Sequence, residues 1–560
     1  MALENNSWWV SKHRVRTDYI KIENLKQWLI GEVPRIHPDH PDYARFWSKE
    51  TKRCIEGVWG KEFGKYRYMP GNLYYFGNYG IIKHTWEEKG VKVTKFTKPF
   101  IMDYVWEFAY TSIVAYGFSG FEKDTEYSCC LALKKYLDNK LDIKYVPDNC
   151  FHEGSPKKYV EPYDYVSQLH SKSLGKPLFQ NEAQDVMCLG TRRGGKSFWV
   201  AIGELEFNFV FSGARRFDEE FINKNYNCAQ VVGSADTDKS SDLLAKFKDS
   251  QNCKIDTSNK DFIKWFGIWE EPGFDDKGKP KTIVTPCPFY KRTMGNLDCP
   301  NKQTPYTSKY KVEMNGEWKT KGEGNEIFHV NYSTKKGAGS QAAVGNSYLF
   351  SDVEETGLVE NVVEIKSAND AATKRGTKFG VQWFQGTSGN IEFVQSSKTI
   401  FLSPQDYGII SFRNVFSQQG KNQRTAYFIP KYVILPAFKD ENGNTDYDAA
   451  IRFVNDERTE AASSNDPRVL ARLLMNEPNY IEEMWLTDKG YYLPYEEAAE
   501  RERELMKGQM YKTLGTPVIF KWDEKVPKGV SYDVAHNIEP IYDFPIPKEL
   551  KDPSGCVVIY

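Results

Sequence analysis

The chain has 560 residues, too many for a single hydrophobic core, so two to four domains are expected. Its 75 Lys and Arg against 76 Asp and Glu give a formal charge of -1, which excludes a globally basic nucleic-acid binder and leaves local basic surfaces as the electrostatic route to DNA. Aromatic residues make up 15%, with 34 Tyr and 34 Phe, which supplies core enough to exclude a disordered chain.

The ten cysteines form no Cys-x-x-Cys pair and have no histidine at zinc-ligand spacing, so they read as reduced core residues. Residues 1–15 lack an apolar signal core, and the most apolar run, 100–118, is interrupted by Asp103 and Glu107. A soluble intracellular protein without a membrane partner is the expectation.

Residues 1–165 read as an N-terminal extension rich in aromatics and turns. Tyr66 to Phe76 alternates like two strands about the Pro70-Gly71 turn, and 99–116 has helical apolar spacing. The tyrosines and Arg67 there suit a core aromatic cluster better than a stacking surface for nucleic acid. Residues 147–158 read as a linker.

An ATPase core is expected over 166–400, with strands alternating with helices. Residues 185–189 form a short apolar strand and 197–211 a mostly buried helix. Between them lies Gly190-Thr191-Arg192-Arg193-Gly194-Gly195-Lys196-Ser197, a complete phosphate-loop pattern in the strand–loop–helix context it requires. Its glycines let backbone N–H groups turn toward phosphate oxygens at the positive end of a helix dipole. Lys196 would reach the β- and γ-phosphates, and the Ser197 hydroxyl would take a magnesium position, so ATP and Mg2+ are the expected ligands.

Gln230 to Ser234 reads as the next strand, followed by a helix opened by Asp236 and Thr237. Residues 270–324 read as an insertion dense in Pro, Gly and Lys. Its lysines invite a DNA-binding reading, although a solvated charged flap is the plainer one. Ile327 to Tyr332 resumes the core, and Ser333 to Ser340 is a flexible loop.

The strand beginning at Tyr348 ends in Asp352, Glu354 and Glu355, and hydrolysis needs one carboxylate near the metal and another to orient water. Phe379 to Gln385 is a further strand, running into the small polar turn Gly386-Thr387-Ser388-Gly389-Asn390, placed to sense the γ-phosphate.

This order of GTRRGGKS, GSADTDKS, FSDVEETG and GTSGN resembles the large terminase subunit of tailed bacteriophages. YRYMPGNLYYFGNYGII and NEPNYIEEMWLTDKGYYLP extend the resemblance over most of 60–495. The resemblance implies a P-loop ATPase of the additional-strand type, a mainly parallel α/β sheet flanked by helices. It implies an ATP-driven motor that moves double-stranded DNA into a procapsid through the portal ring, with a small terminase subunit as partner. A homo-oligomeric ring is implied on assembly, with a monomer in isolation and the host cytoplasm as location.

By the same resemblance, Arg192 senses or stabilises the γ-phosphate, and Gly386, Thr387 and Ser388 form the coupling motif. The acidic pair falls on Glu354 and Glu355. Most relatives have Asp-Glu there, which leaves a second register in which Asp352 holds magnesium and Glu354 orients water.

Residues 401–520 then read as a lid and linker, with helices over 447–462, 467–475 and 494–506. Residues 521–560 read as the approach to the family's endonuclease, whose acidic cluster is not found; Asp533 alone does not make a two-metal site. The chain is therefore expected not to cut DNA. A helicase-like ATPase is the alternative, and a scaffold with a vestigial nucleotide site is the third class; the intact Lys196 and Ser197 argue against the latter.

Overall fold

The computed structural model describes residues 15–116, 183–212, 228–486, 518–522 and 530–534, apart from short interior stretches at 64, 89–90, 276–277, 295–304, 315, 334–338, 344, 376, 388–390, 417–423, 465 and 467. The chain divides into two compact units, residues 1–417 with 422–488, and residues 418–421 with 489–560. In the second unit, Val518–Trp522 pairs antiparallel with Val530–Val534.

The first unit is built on a seven-stranded sheet. Its order is Tyr427–Ile429, Val186–Gly190, Val381–Gly386, Phe350–Val353, Ala229–Ser234, Glu326–Asn331 and Tyr306–Thr307. All neighbouring pairs are parallel except the last, where Tyr306–Thr307 runs against Glu326–Asn331. The strands Val186–Gly190, Phe350–Val353 and Val381–Gly386 are buried along their whole length, as strands of a parallel sheet covered on both faces are.

One strand, Val381–Gly386, lies between the phosphate-loop strand and the acidic strand. This is the arrangement expected of an additional-strand ATPase. It brings the ends of Val186–Gly190 and Phe350–Val353 to the same edge of the sheet, where parallel α/β sheets bind ligands. The strand Tyr427–Ile429 pairs with the phosphate-loop strand, so the sheet takes an edge from residues past 400.

The phosphate-loop helix starts as Lys196–Phe198, continues as a π-helix over Trp199–Glu206 and ends as Phe207–Phe211. Helices Gly71–Tyr79 and Asp103–Ala115 cover it. Tyr75 meets Phe207 and Phe211 edge-on, and Phe76 lies 5.3 Å from Trp199. Gly80 belongs to this contact, since a Cβ there would come within 2.8 Å of Ile202.

The segment read as two strands about Pro70-Gly71 folds differently. Lys65–Met69 is a strand, but Gly71–Tyr79 is a helix buried on every side. A Cβ on Gly71 would stand 1.9 Å from the Cys54 carbonyl oxygen, so helix Pro41–Glu56 packs directly on its backbone. Burial on all faces overrides the β-preference of Tyr and Phe. Tyr74, Tyr75 and Tyr79 are core residues, as the plainer sequence reading expects.

The insertion contains two antiparallel hairpins, Trp269–Phe274 with Pro280–Thr285 and Tyr310–Met314 with Glu317–Lys321. The five cysteines described, at 54, 188, 228, 253 and 287, are all buried and free of disulfides. Among the described residues, no helix is long and apolar enough to cross a membrane.

Candidate nucleotide site

The phosphate loop leaves its strand at Gly190, where φ is +147° and a Cβ would stand 2.2 Å from the Ile429 carbonyl oxygen. Only glycine fits there. The Thr191 N–H donates to the Ile429 carbonyl at 2.9 Å, and the Arg192 N–H to the Asn476 carbonyl at 3.0 Å. Arg193 and Gly195 are left-handed, with φ of +62° and +67°, which closes the loop onto the helix beginning at Lys196.

Lys196 is buried and its ammonium donates to the Thr191 carbonyl across the loop at 2.7 Å. Burial lowers its pKa, while Cys188, Glu355 and Glu354 act against that shift. Arg192 and Arg193 are exposed, and neither guanidinium has an ion-pair partner among the described residues.

The Ser197 hydroxyl donates to Glu354 Oε1 at 2.7 Å, across 157 residues of sequence. Glu354 Oε2 is buried and has no hydrogen-bond partner among the described residues. The Glu354 carboxyl is pushed up to about 7, first by burial and then by the neighbouring Glu355, against the favourable bond from Ser197. Glu355 is left-handed, at φ +51°, and half-exposed; Thr387 Oγ1 lies 3.5 Å from its Oε2.

Asp352 lies behind them and is fully buried. Gln385 Nε2 donates to its Oδ1 at 3.1 Å, and its Oδ2 has no partner among the described residues. Burial, and then the charges of Glu354 and Glu204, push its carboxyl well above the usual aspartate range.

Gly386 is required at its position, since a Cβ would meet the Thr356 nitrogen at 2.8 Å. That close approach sets the Thr387 turn beside Glu355. Ser388 lies outside the described residues, as does all of 213–227. Asp533 lies on Val530–Val534, and the residues after 534 are outside the described set.

The structure thus brings together Gly190 to Ser197, Glu354, Glu355 and Thr387. Asp352 stands two residues before Glu354, on the strand Phe350–Val353, and is fully buried. Sequence reasoning misses Gln385 as the donor to Asp352 and Asn476 as the acceptor from Arg192. Neither leaves a local signal, because each contact joins segments that meet only in the fold.

The donor set suits a magnesium–triphosphate: hard oxygens at Ser197 and Glu354, one carboxylate oxygen left without a partner, and an ammonium beside them. No cluster of three His, Cys, Asp or Glu suited to hold a metal by itself occurs among the described residues. Magnesium in nucleotide sites commonly relies on one or two carboxylates and on substrate phosphates, so this is compatible with the set.

No protein-family model matches the sequence. No curated protein matches it. Among solved structures, the chain is similar to the large terminase of a thermophilic bacteriophage, with 10% identity over 40% of this chain and 39% of that one and a TM-score of 0.21. It is similar to the ATPase domain of the Thermus phage P74-26 large terminase, with 8% identity over 54% of this chain and 90% of that domain and a TM-score of 0.28. The HK97 bacteriophage large terminase matches with 13% identity over 57% of this chain and 51% of that one, at a TM-score of 0.24. The match spans less than two thirds of the first and third of these proteins. These three solved structures, to which this α/β chain is similar, are two large terminases and a large terminase ATPase domain.

Proposed function

We propose that this chain is an ATP-hydrolysing motor of the large terminase kind, which moves double-stranded DNA into a procapsid. The observation that carries the ATPase reading is the Ser197–Glu354 bond. It closes the phosphate loop onto an acidic strand one strand away in a parallel sheet, and leaves a buried carboxylate oxygen for a ligand.

In this reading the loop N–H groups and Lys196 hold the phosphates, and Ser197 with Glu354 holds magnesium, which supplies charge neutralisation at the transferring phosphoryl. Glu355 orients the attacking water. Burial favours this register over Asp352 with Glu354, because Asp352 is fully buried while Glu355 is half-exposed beside Thr387. Gly386 and Thr387, with Ser388, would pass the state of the site to the lid. Arg192 stabilises the γ-phosphate from within the subunit.

The DNA-packaging part rests on the motif resemblance. With it come the portal ring and the small terminase subunit as partners, a ring of copies on assembly and the host cytoplasm as location. The same resemblance divides the chain into an extension over 1–165, a motor over 166–400, a lid and linker over 401–520, and the approach to a nuclease over 521–560. Lys196→Ala tests the core of the reading: the folded variant is expected to lose ATP turnover, because a charge-assisted contact to the transferring phosphate is gone. Normal hydrolysis by that variant would remove the assignment, and DNA-stimulated turnover by the parent would extend it to the motor.

A further inference from the structure

We propose that Lys246 is a γ-phosphate-binding residue, reaching the nucleotide from the helix Thr237–Asn252. The inference rests on the nucleotide-site reading above and adds to it a residue outside every motif of the sequence.

The helix is launched by the strand Ala229–Ser234, which pairs directly with the acidic strand Phe350–Val353. Asp236 caps it by accepting from the Asp238 N–H at 3.1 Å. This sets the helix against the phosphate-loop helix, and the Lys246 ammonium stands 5.6 Å from the centre of the Phe198 ring. Phe198 immediately follows Ser197, whose hydroxyl is on Glu354. Lys246 is half-exposed and donates to the Asp242 carbonyl of its own helix at 3.2 Å, a bond of ordinary length to a group that water can replace.

Electrostatics give the lysine a task. Glu354 and Glu355 put two carboxylates beside Ser197, and a triphosphate brought to the loop adds more negative charge to the same corner. Lys196 approaches from the loop, where it is folded onto the Thr191 carbonyl. Lys246 approaches from the neighbouring helix, its ammonium over the ring of Phe198, the residue that follows Ser197. A flexible ammonium there can release the Asp242 carbonyl and meet the terminal phosphate, where a diphosphate has no group to offer.

The test is equilibrium binding of Mg2+ complexes of a fluorescent non-hydrolysable ATP analogue and of the matching ADP analogue to the full chain. Lys246→Ala is expected to weaken the triphosphate by roughly tenfold or more, as for loss of a charged hydrogen bond, and to leave the diphosphate within about twofold. Lys246→Arg, which keeps the charge and adds donors, is expected to restore most of the difference. An unchanged ratio of the two affinities in Lys246→Ala, or an equal loss of both, overturns the proposal while leaving the nucleotide site standing. A parent chain that binds neither analogue removes the nucleotide-site reading itself, and this inference with it. The melting temperature of each variant shows that the protein compared is folded.

Discussion

Two sets of buried carboxylates in the first unit use the same side chains to opposite ends. Around the N-terminal helices and the segment after 430, each carboxylate is met by cations and hydroxyls. Glu107 accepts from Arg16 and Tyr427, Asp103 from Lys439, Thr445 and Tyr447, and Glu483 from both terminal nitrogens of Arg458 at 2.9 and 2.8 Å. At the carboxyl end of the central strand, Asp352 and Glu354 each keep a buried oxygen with no partner among the described residues. Burying a polar oxygen unmet costs on the order of 1–3 kcal/mol, so a fold keeps such atoms where something else is meant to meet them. The satisfied set staples distant segments together; of the carboxylates that keep an unmet oxygen, which include Glu206, Asp352 and Glu354, it is Glu354 that stands against the phosphate loop.

The sharpest way to break that comparison is at Glu355. If it orients water, Glu355→Gln keeps Mg2+–nucleotide binding and hydrolyses more slowly by a factor on the order of a hundred to ten thousand. If Asp352 and Glu354 are the working pair, Glu355→Gln is nearly silent and Asp352→Asn carries the loss. Steady-state turnover of the single amide variants separates the registers.

The satisfied set predicts a loss of stability instead. Arg458→Met leaves Glu483 buried without its guanidinium, and removing one partner of such a pair costs about 3–5 kcal/mol. Urea denaturation of the full chain reads this as a lowered midpoint. An unchanged midpoint would mean that the pair is cosmetic, and that burial with satisfaction does not mark a staple here.

Asp352→Asn sharpens the comparison from the other side. A carboxyl raised in the folded state binds its proton more tightly there than in the unfolded chain. Stability is then present at low pH and is lost as pH rises from the ordinary carboxyl value through the raised one. For Glu354 that window runs from about 4.5 to about 7, and Asp352 has the same sign. An amide at 352 carries no charge to bury and can still accept from Gln385. Asp352→Asn is therefore expected to be more stable than the parent at pH 8, with the gap closing toward pH 5. Thermal melts across that range check the sign, and destabilisation at pH 8 would show that Asp352 is held ionised.

What was legible in the sequence follows the reach of each signal. The phosphate loop was legible because its glycines, Lys196 and Ser197 are contiguous and their chemistry is local. The helix Tyr447–Ala462 was legible to the residue because Asp446 caps it and its apolar spacing is regular. The helix Gly71–Tyr79 was not, because what decides it is the carbonyl of Cys54 on another helix. The place of the edge strand Tyr427–Ile429 beside the phosphate-loop strand was not legible, since a three-residue strand carries no register of its own. Gln385 and Lys246 gave no sign for the same reason: each matters through a neighbour far along the chain.

The smallest expected effect lies at Arg193 of the arginine pair, and it tests whether exposure beside the site is enough to confer a role. Both guanidinium groups are exposed, but their backbones differ. The Arg192 N–H is fixed to the Asn476 carbonyl, whereas Arg193 sits left-handed at φ +62° as the loop turns away. The charge of Arg192 is felt at Lys196. Arg192→Ala is expected to lose hydrolysis with nucleotide binding mostly kept. Arg193→Ala keeps the Cβ, and with it the backbone conformation, so it removes only the guanidinium; turnover of the isolated chain should change by less than roughly threefold, within about 0.6 kcal/mol. Should copies assemble into a ring, the same substitution would act on the assembled motor, where an exposed arginine can reach a neighbouring copy. Affinity and turnover for both variants decide the matter. Equal and complete loss of binding in both would make the pair a ground-state phosphate clamp, and exposure beside the site would then suffice for a role.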